Sequence, residues 1–272
     1  MMADYASNSP SDKEFYLFQT LILNRLGIFL PLQKKALLTN RLWKRVRECE
    51  LHHFEDYYHF IVSSNGKAEL DIALELITTN ETYFFREQKH FDYLAQIILP
   101  AIKPDKKLRV WSAAASTGEE PYSIAMLLED MCSAAWELEC SDVNNSVLEK
   151  ARQGVYPDSR IQNIPENYLH RYCRKGIGPQ DGFVRVTQEL RKKVNFFYLN
   201  LHNDFPDIGK FDVVFLRNVL IYFENDIKEQ VLERIAKVLT PNGILFVGHS
   251  ESLHGISTRF IPIKPAIYKL AS

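Results

Sequence analysis

The stretch VWSAAASTGEEPYSIAM, Val110–Met126, limits the possible folds more than any other part of the chain. It begins as a short apolar run and breaks into Ala113, Ala114, Ala115, Ser116, Thr117 and Gly118. It then resumes as an amphipathic helix headed by Glu119 and Glu120. A strand that passes into a helix through a turn of small residues is the first half of a βαβ unit. The chain after Lys107 repeats the theme. LRVWS, ELECS, NFFYL, FDVVFL and GILFVG are strand candidates, and helical stretches near Glu120–Ala134, Asn144–Arg152 and Asp226–Val238 lie between most of them. This alternation predicts an α/β fold, a mostly parallel Rossmann-like sheet covered on both faces. Between Gly154 and Asn195 the rhythm lapses into polar, glycine-containing sequence with a strand-like FVRV, read as a small antiparallel β insertion.

Upstream the texture is different. From Asp12 to about Thr79 the apolar residues recur at three and four, as in Phe15, Phe18, Ile22 and Leu26, and four or so helices are expected. A further helix at about Glu87–Leu99 leads to a Pro100–Lys107 linker. The expected organisation is a disordered tail over 1–10, an all-α N-terminal domain over 11–82 and a linker helix region over 83–107. An α/β domain follows over 108–272, with its β insertion at about 155–195.

A net charge of −1 over 272 residues provides no general field for nucleic acid or an anionic membrane. Cys49, Cys132, Cys140 and Cys173 form no CxxC pair and no Cys/His cluster, so no metal site is predicted and free thiols are expected. The polar start MMADYASNSPSDKEF lacks the apolar core of a signal peptide, and no apolar run has the length of a membrane span. A cytoplasmic monomer is the expectation.

In open α/β sheets the ligand lies beyond the carboxyl ends of the strands, near the first βα turn. Here that turn is not GxGxxG, and Glu119 and Glu120 would repel a phosphate at the helix N-terminus. The two acids suit a ligand with a positive charge, or simply complement the helix macrodipole. Asp142 closes ELECSD, where an acid typically takes ribose hydroxyls; it is otherwise an N-cap for the next helix. With the small turn upstream the ribose reading is preferred. A ribose, a cationic end and no phosphate describe S-adenosylmethionine. Arg217 and Asn218 follow FDVVFL at the same edge, and Asn200 holds the equivalent position after NFFYL.

TTNETYFFRE, WSAAASTGEEPYSIA, SDVNNSVLEKARQGVY, FLRNVLIYF and GILFVGHSESL resemble the motifs of CheR-type chemotaxis receptor methyltransferases, from about Phe15 to the end of the chain. The resemblance implies an S-adenosylmethionine-dependent methyltransferase sheet with a helical N-terminal domain. It also implies methyl transfer to glutamate side chains of chemoreceptors, giving methyl esters and S-adenosylhomocysteine. It assigns Asn80, Thr82, Arg86, Glu120, Asp142, Asn200, Leu201, Arg217, Asn218 and Val219 to the cofactor. Arg86 and Tyr222 are assigned to the neighbourhood of the transferred methyl, though Tyr222 also reads as an ordinary packed aromatic.

KKALLTNRLWKRVRE reads as one amphipathic helix, with Lys34, Arg41, Lys44 and Arg45 on one side and Leu38, Leu42 and Val46 in a neighbouring apolar stripe. A basic stripe is usually a solvated face. The resemblance makes it, with Arg47, a docking surface for the receptor's cytoplasmic helical bundle. RKGIGPQDGFVRV is similar to the family's β-subdomain. There Lys175, Gly176, Gly178 and Arg185 would capture a receptor C-terminal peptide by strand addition, and the alternative is a solvent-facing hairpin. Members of the family carry arginine where this chain has Lys175, which weakens a bidentate contact. Two other readings stay open: a methyltransferase with a different substrate, and a module that senses the cofactor without turnover.

Overall fold

The computed structural model describes residues 9–271. Contacts divide the chain into two units: the residues through Thr79 together with Tyr222–Ile227, and Asn80–Ile221 together with the residues from Lys228 onward.

Among the described residues the smaller unit holds four α-helices, α1 (Asp12–Leu26), α2 (Lys35–Glu48), α3 (Phe54–Val62) and α4 (Lys67–Ile77). Ser11 opens α1 with a reciprocal cap: its hydroxyl accepts from the Glu14 N–H, and its own N–H donates to the Glu14 carboxylate. The tail expected over 1–10 falls outside the described residues except at Ser9 and Pro10, and Pro10 is buried. Phe15, Phe18, Ile22, Leu38, Leu42, Val46, Phe54, Tyr57 and Ile61 form the core of the unit. Gly66 lies so close to the end of α3 that a Cβ would come within 2.0 Å of the Phe60 carbonyl oxygen, so no larger residue fits there.

The basic side of α2 is not the free surface that its helical spacing suggests. Arg41 reaches the carbonyls that end α4: its Nη1 donates to Leu76 at 3.1 Å, to Thr78 at 2.8 Å and to Ile77, and its Nη2 donates to the Thr79 hydroxyl. Those carbonyls lack helical partners, and a cation satisfies them well. Arg45 forms a fork on Glu69 at 2.9 and 2.6 Å, and the Tyr57 hydroxyl donates to the same carboxylate at 2.7 Å. Burial raises the Glu69 carboxyl, but these donors outweigh it and hold the group below its ordinary range. Lys34, Lys44 and Arg47 remain exposed. Arg41 and Arg45, both partly exposed, thus also hold α2 to α4.

The larger unit begins with α5 (Gln88–Tyr93), extended by one π turn over Leu94–Ile98. Then come β1 (Leu108–Ser112), α6 (Glu119–Met131), β2 (Trp136–Asp142) and α7 (Asn145–Gln153). The insertion holds β3 (Val155–Pro157), α8 (Glu166–Tyr172), β4 (Cys173–Lys175), β5 (Phe183–Val186) and α9 (Gln188–Arg191). The remaining elements are β6 (Val194–Tyr198), β7 (Phe211–Leu216), α10 (Asn225–Val238), β8 (Leu239–Val247), β9 (Phe260–Lys264) and β10 (Ile267–Leu270).

Seven strands form one sheet in the order β6-β2-β1-β7-β8-β10-β9. The first five are parallel, while β10 pairs antiparallel with both β8 and β9. The order reverses at β1, which opens the ligand crevice beyond the carboxyl ends of β1 and β7. The insertion is a separate antiparallel sheet, β3-β5-β4. The C-terminal hairpin β9–β10 completes the large sheet with two strands that local pattern does not reveal. The four cysteines are free, and among the described residues no helix is long and apolar enough to cross a membrane.

Replacing Glu69 with Ala removes the partner of Arg45 Nε and Nη2 and of the Tyr57 hydroxyl, while Arg45 Nη1 keeps Glu48, and is expected to lower unfolding free energy by about 1–3 kcal/mol. Lys44→Ala, at an exposed position, is expected to stay within about 0.5 kcal/mol. Denaturant unfolding checks both, and equal losses from the two variants would contradict the assignment.

Candidate active site

At the switch point, the small-residue turn brings backbone close to the end of β2. Ser116 takes the left-handed conformation at φ 49°, which turns its N–H onto Asp142 Oδ2 at 2.8 Å. Asp142 Oδ1 accepts from the Asn144 N–H at 3.0 Å. The cap of α7 is Asn144, whose side chain accepts from the Val147 N–H, so the N-cap alternative for Asp142 does not hold. The Ser116 hydroxyl donates to the Asn80 carbonyl at 3.0 Å. Burial pushes the Asp142 carboxyl up to about 6, against the pull of the backbone N–H groups. After β6, the Leu199 N–H donates to the Asp142 carbonyl, and Asn200 and Leu201 are buried beyond it.

Neither acid at the head of α6 is a solvated charge. Glu119 is fully buried, accepts from the Thr117 hydroxyl at 2.6 Å and pairs with Arg160 at 2.7 Å. Arg160 also donates to the Thr82 carbonyl at 2.7 Å. The Tyr156 hydroxyl on β3 donates to the Thr117 carbonyl at 2.8 Å. Gly118 holds φ 97°, and a Cβ there would meet that hydroxyl at 2.7 Å and the Ala151 Cβ at 2.9 Å. Glu120 accepts from the Ser112 hydroxyl at 2.8 Å and from Arg217 Nη1 at 2.7 Å.

Arg217, with a side chain 1% exposed, joins these parts. Besides Glu120, it reaches Glu87 Oε2 at 3.0 Å and the Arg86 carbonyl. Burial raises the Glu87 carboxyl, but the Arg217 charge and the His249 N–H outweigh it and hold the group below its ordinary range. Glu251 accepts from the N–H groups of Asn218 at 2.7 Å, Gly248 at 2.6 Å and Ile221 at 3.1 Å. It fixes the chain after β7, where Asn218 sits at φ 58°; Val219, next in line, is half-buried. Phe85 and Glu87 are also left-handed, at 54° and 61°. Four non-glycine residues in this conformation along one edge mark a place where packing outweighs backbone preference. His90 is buried beside Glu87, and burial together with the Arg217 charge pushes it down to about 3, leaving a neutral ring.

The structure thus gathers Asn80, Thr82, Glu120, Asp142, Asn200, Leu201, Arg217, Asn218 and the Arg86 backbone along one edge. The Arg86 side chain folds back, its Nη1 on the Glu81 carbonyl at 2.9 Å and its guanidinium over the Tyr83 ring. Tyr222 belongs to the other unit, where its carbonyl accepts from the Phe29 N–H at 3.2 Å. Glu87, Arg160 and Glu251 have structural roles that sequence reasoning did not assign, and the pairing of Glu119 with Arg160 was not expected either. Glu251 stands in the quoted GHSESL, the one signal that could have drawn attention to it.

The donor set fits S-adenosylmethionine. A buried acid at the end of β2 suits ribose hydroxyls, and carboxylates outnumber cations at the turn, as a sulfonium requires and a phosphate forbids. Fold and site together define the class, an S-adenosylmethionine-dependent methyltransferase. The chain belongs to the CheR methyltransferase family: its residues 80–268 match the CheR methyltransferase SAM-binding domain, and residues 13–78 match the CheR all-alpha domain. It is 41% identical over 265 residues to the chemotaxis protein methyltransferase of Escherichia coli K12, covering 96% of this chain and 92% of that one. The protein of the same name from Salmonella typhimurium LT2 is 40% identical over 96% of this chain and 91% of its own length. The Klebsiella aerogenes protein is 40% identical over 99% and 93%. The cofactor is S-adenosylmethionine, and the activity is methyl transfer in chemotaxis.

The raised Asp142 carboxyl sets a pH dependence. Hydroxyls donate more strongly to an ionised carboxylate, so cofactor affinity is expected to fall as pH drops below about 6. For the cofactor-free protein the sign is opposite: the folded state holds this proton more tightly, so Asp142 lowers stability as pH rises from its ordinary value toward about 6. Calorimetric titration across this range with wild type and Asp142→Asn is the check. An equal pH slope in both proteins would remove Asp142 from the cofactor site.

Proposed function

We propose that the chain is a protein-glutamate O-methyltransferase, acting on side-chain carboxylates of chemoreceptors, the methyl-accepting chemotaxis proteins, to form methyl esters for sensory adaptation. The observation that carries this reading is the state of the acids at the site. Among the described residues, Glu87, Glu120, Asp142 and Glu251 each have both oxygens engaged by hydrogen-bond donors. These donors tie each carboxylate to the protein's own loops, with the lone pairs left on Asp142 turned to the ribose, so none is positioned as a general base for an incoming hydroxyl or amine. A glutamate carboxylate needs no such help, since it ionises near pKa 4.3, about three units below neutral pH.

When bound, S-adenosylmethionine supplies a methyl on a sulfonium, with a neutral thioether as the leaving group. The residues then have two tasks, holding that methyl and bringing the carboxylate oxygen in line with it. Asp142 holds the ribose hydroxyls through the lone pairs left beside its two N–H donors, and Asn200 and Leu201 border the adenine. Asn80, Thr82, Asn218 and Val219 bind from the flanking loops, while Glu120, held by Arg217, turns negative charge toward the methionine end. Arg86 leaves the Glu81 carbonyl to steer the anionic nucleophile, and Tyr222 orients it by a hydrogen bond.

Two surfaces serve the receptor. Lys34, Lys44 and Arg47 provide exposed positive charge for an acidic helical bundle; the Lys44 side chain is 84% exposed and, among the described residues, pairs only with Glu48, at 3.5 Å, on its own helix. In the insertion, β4 has a neighbour on one side only, and Ile177, between Gly176 and Gly178, is 85% exposed. That open edge, with Lys175 and Arg185 nearby, suits an extended receptor peptide added as a strand.

Methyl-labelled cofactor and membranes containing candidate receptors provide the test. The label is expected on protein and is released as methanol by mild alkali, as an ester requires. Alkali-stable label would mean N-methylation, and no transfer to any receptor would leave the cofactor-sensing reading. In the same assay, reversing Lys44 and Arg47 to Glu is expected to slow transfer at low salt, with the gap closing once screening falls to about 10 Å at 0.1 M. Equal rates at every ionic strength would leave that face of α2 without a docking role.

A further inference from the structure

Glu87, His90 and His249 converge beside Arg217, and one donor atom from each lies within 4.8 Å of the others. His90 is 1% exposed, yet neither of its ring nitrogens has a hydrogen-bond partner. The nearest approach is Nδ1 to Glu87 Oε2 at 3.5 Å, too long for a hydrogen bond. Buried polar atoms nearly always find a partner, and an imidazole without one calls for a reason. The His249 ring stands edge-on to His90 with centroids 4.8 Å apart, and its own backbone N–H is fixed to Glu87 Oε1 at 3.1 Å.

We propose that Glu87, His90 and His249 bind a divalent transition-metal ion of the zinc type, with water in the remaining position. Two imidazoles and a carboxylate are a common protein donor set for such an ion. Glu87 supplies the negative charge at the cluster, and Arg217 is shared between it and Glu120. The outer shell is also in place, because Arg217 holds Glu87 Oε2 as the partners of ligating carboxylates usually do. Metal–donor bonds of 2.0–2.1 Å in a tetrahedron put donors about 3.3 Å apart. The three atoms must therefore close in from their present spacing. His90 is held by packing against Phe246, so the exposed His249 side chain makes that movement. The ion would satisfy the orphaned His90 nitrogen and leave the Glu87–Arg217 contact in place.

The experiment uses full-length, untagged, metal-stripped protein titrated with Co²⁺ and followed by visible absorption, with Zn²⁺ as competitor. One equivalent of Co²⁺ is expected to give the intense bands of a four- or five-coordinate ion, and Zn²⁺ to abolish them. His249→Ala, whose side chain lies at the surface, is expected to keep the wild-type melting temperature and to weaken Co²⁺ binding at least about tenfold, the lower end of what even outer-shell changes cost a metal site. His52→Ala/His53→Ala, which removes the adjacent pair in the helical unit, is expected to leave binding unchanged. A spectrum no different from that of hydrated Co²⁺ would overturn the proposal. So would equal affinity in His249→Ala and wild type, or an affinity that follows His52 and His53.

Discussion

The buried guanidinium of Arg217 is the contact on which the rest of the site depends. It stands at the end of β7, beyond the point where the strand's apolar run stops, and reaches Glu120 in the first turn of α6 and Glu87, which precedes α5. Charges removed from water in this way persist only when matched, and loss of one partner leaves the others stranded. Matching them has a conformational cost, since Phe85, Glu87 and Asn218 all take left-handed backbone to meet it. These contacts tie the loop before α5, the helix start and the chain after β7 into one arrangement.

A second set of contacts joins the β insertion to the turn after β1. Arg160 and Tyr156 reach Glu119, the Thr82 carbonyl and the Thr117 carbonyl. The insertion is therefore part of the scaffold of the turn as well as a candidate surface for a partner. The close fit of Gly118 against Tyr156 and Ala151 explains why the single glycine of the turn stands at its end, where helix and insertion meet, rather than where a phosphate would lie.

Much of this was legible in the sequence wherever the cause is local. FDVVFL is β7 to the residue, because the apolar run and the polar Arg217 mark the same boundary. The antiparallel insertion was foreshadowed by FVRV, and ELECSD ends β2 at Asp142 as its pattern suggests. What escaped depends on partners far along the chain. Helical spacing put Arg41 and Arg45 on the basic side of α2 but could not show that the end of α4 and Glu69 lie opposite them. Glu87 meets Arg217 across 130 residues, and no motif links them. Strand β9, FIPIK, carries a proline and takes its place only through pairing with β10, so its pattern alone gave no signal. Tyr222 follows a segment of the large unit yet packs with the helices, which no local pattern reveals.

The central claim is that Arg217 and Glu120 act as one element in shaping the cofactor site. A double-mutant cycle measures this directly, with S-adenosylmethionine affinity determined by calorimetry for wild type, Glu120→Gln, Arg217→Met and the double variant. The account predicts that each single change weakens binding and that the double variant loses far less than their sum, with a coupling of about 1.5–3 kcal/mol for a charged hydrogen-bonded pair. Strictly additive losses, or full affinity in either folded single variant, would contradict it.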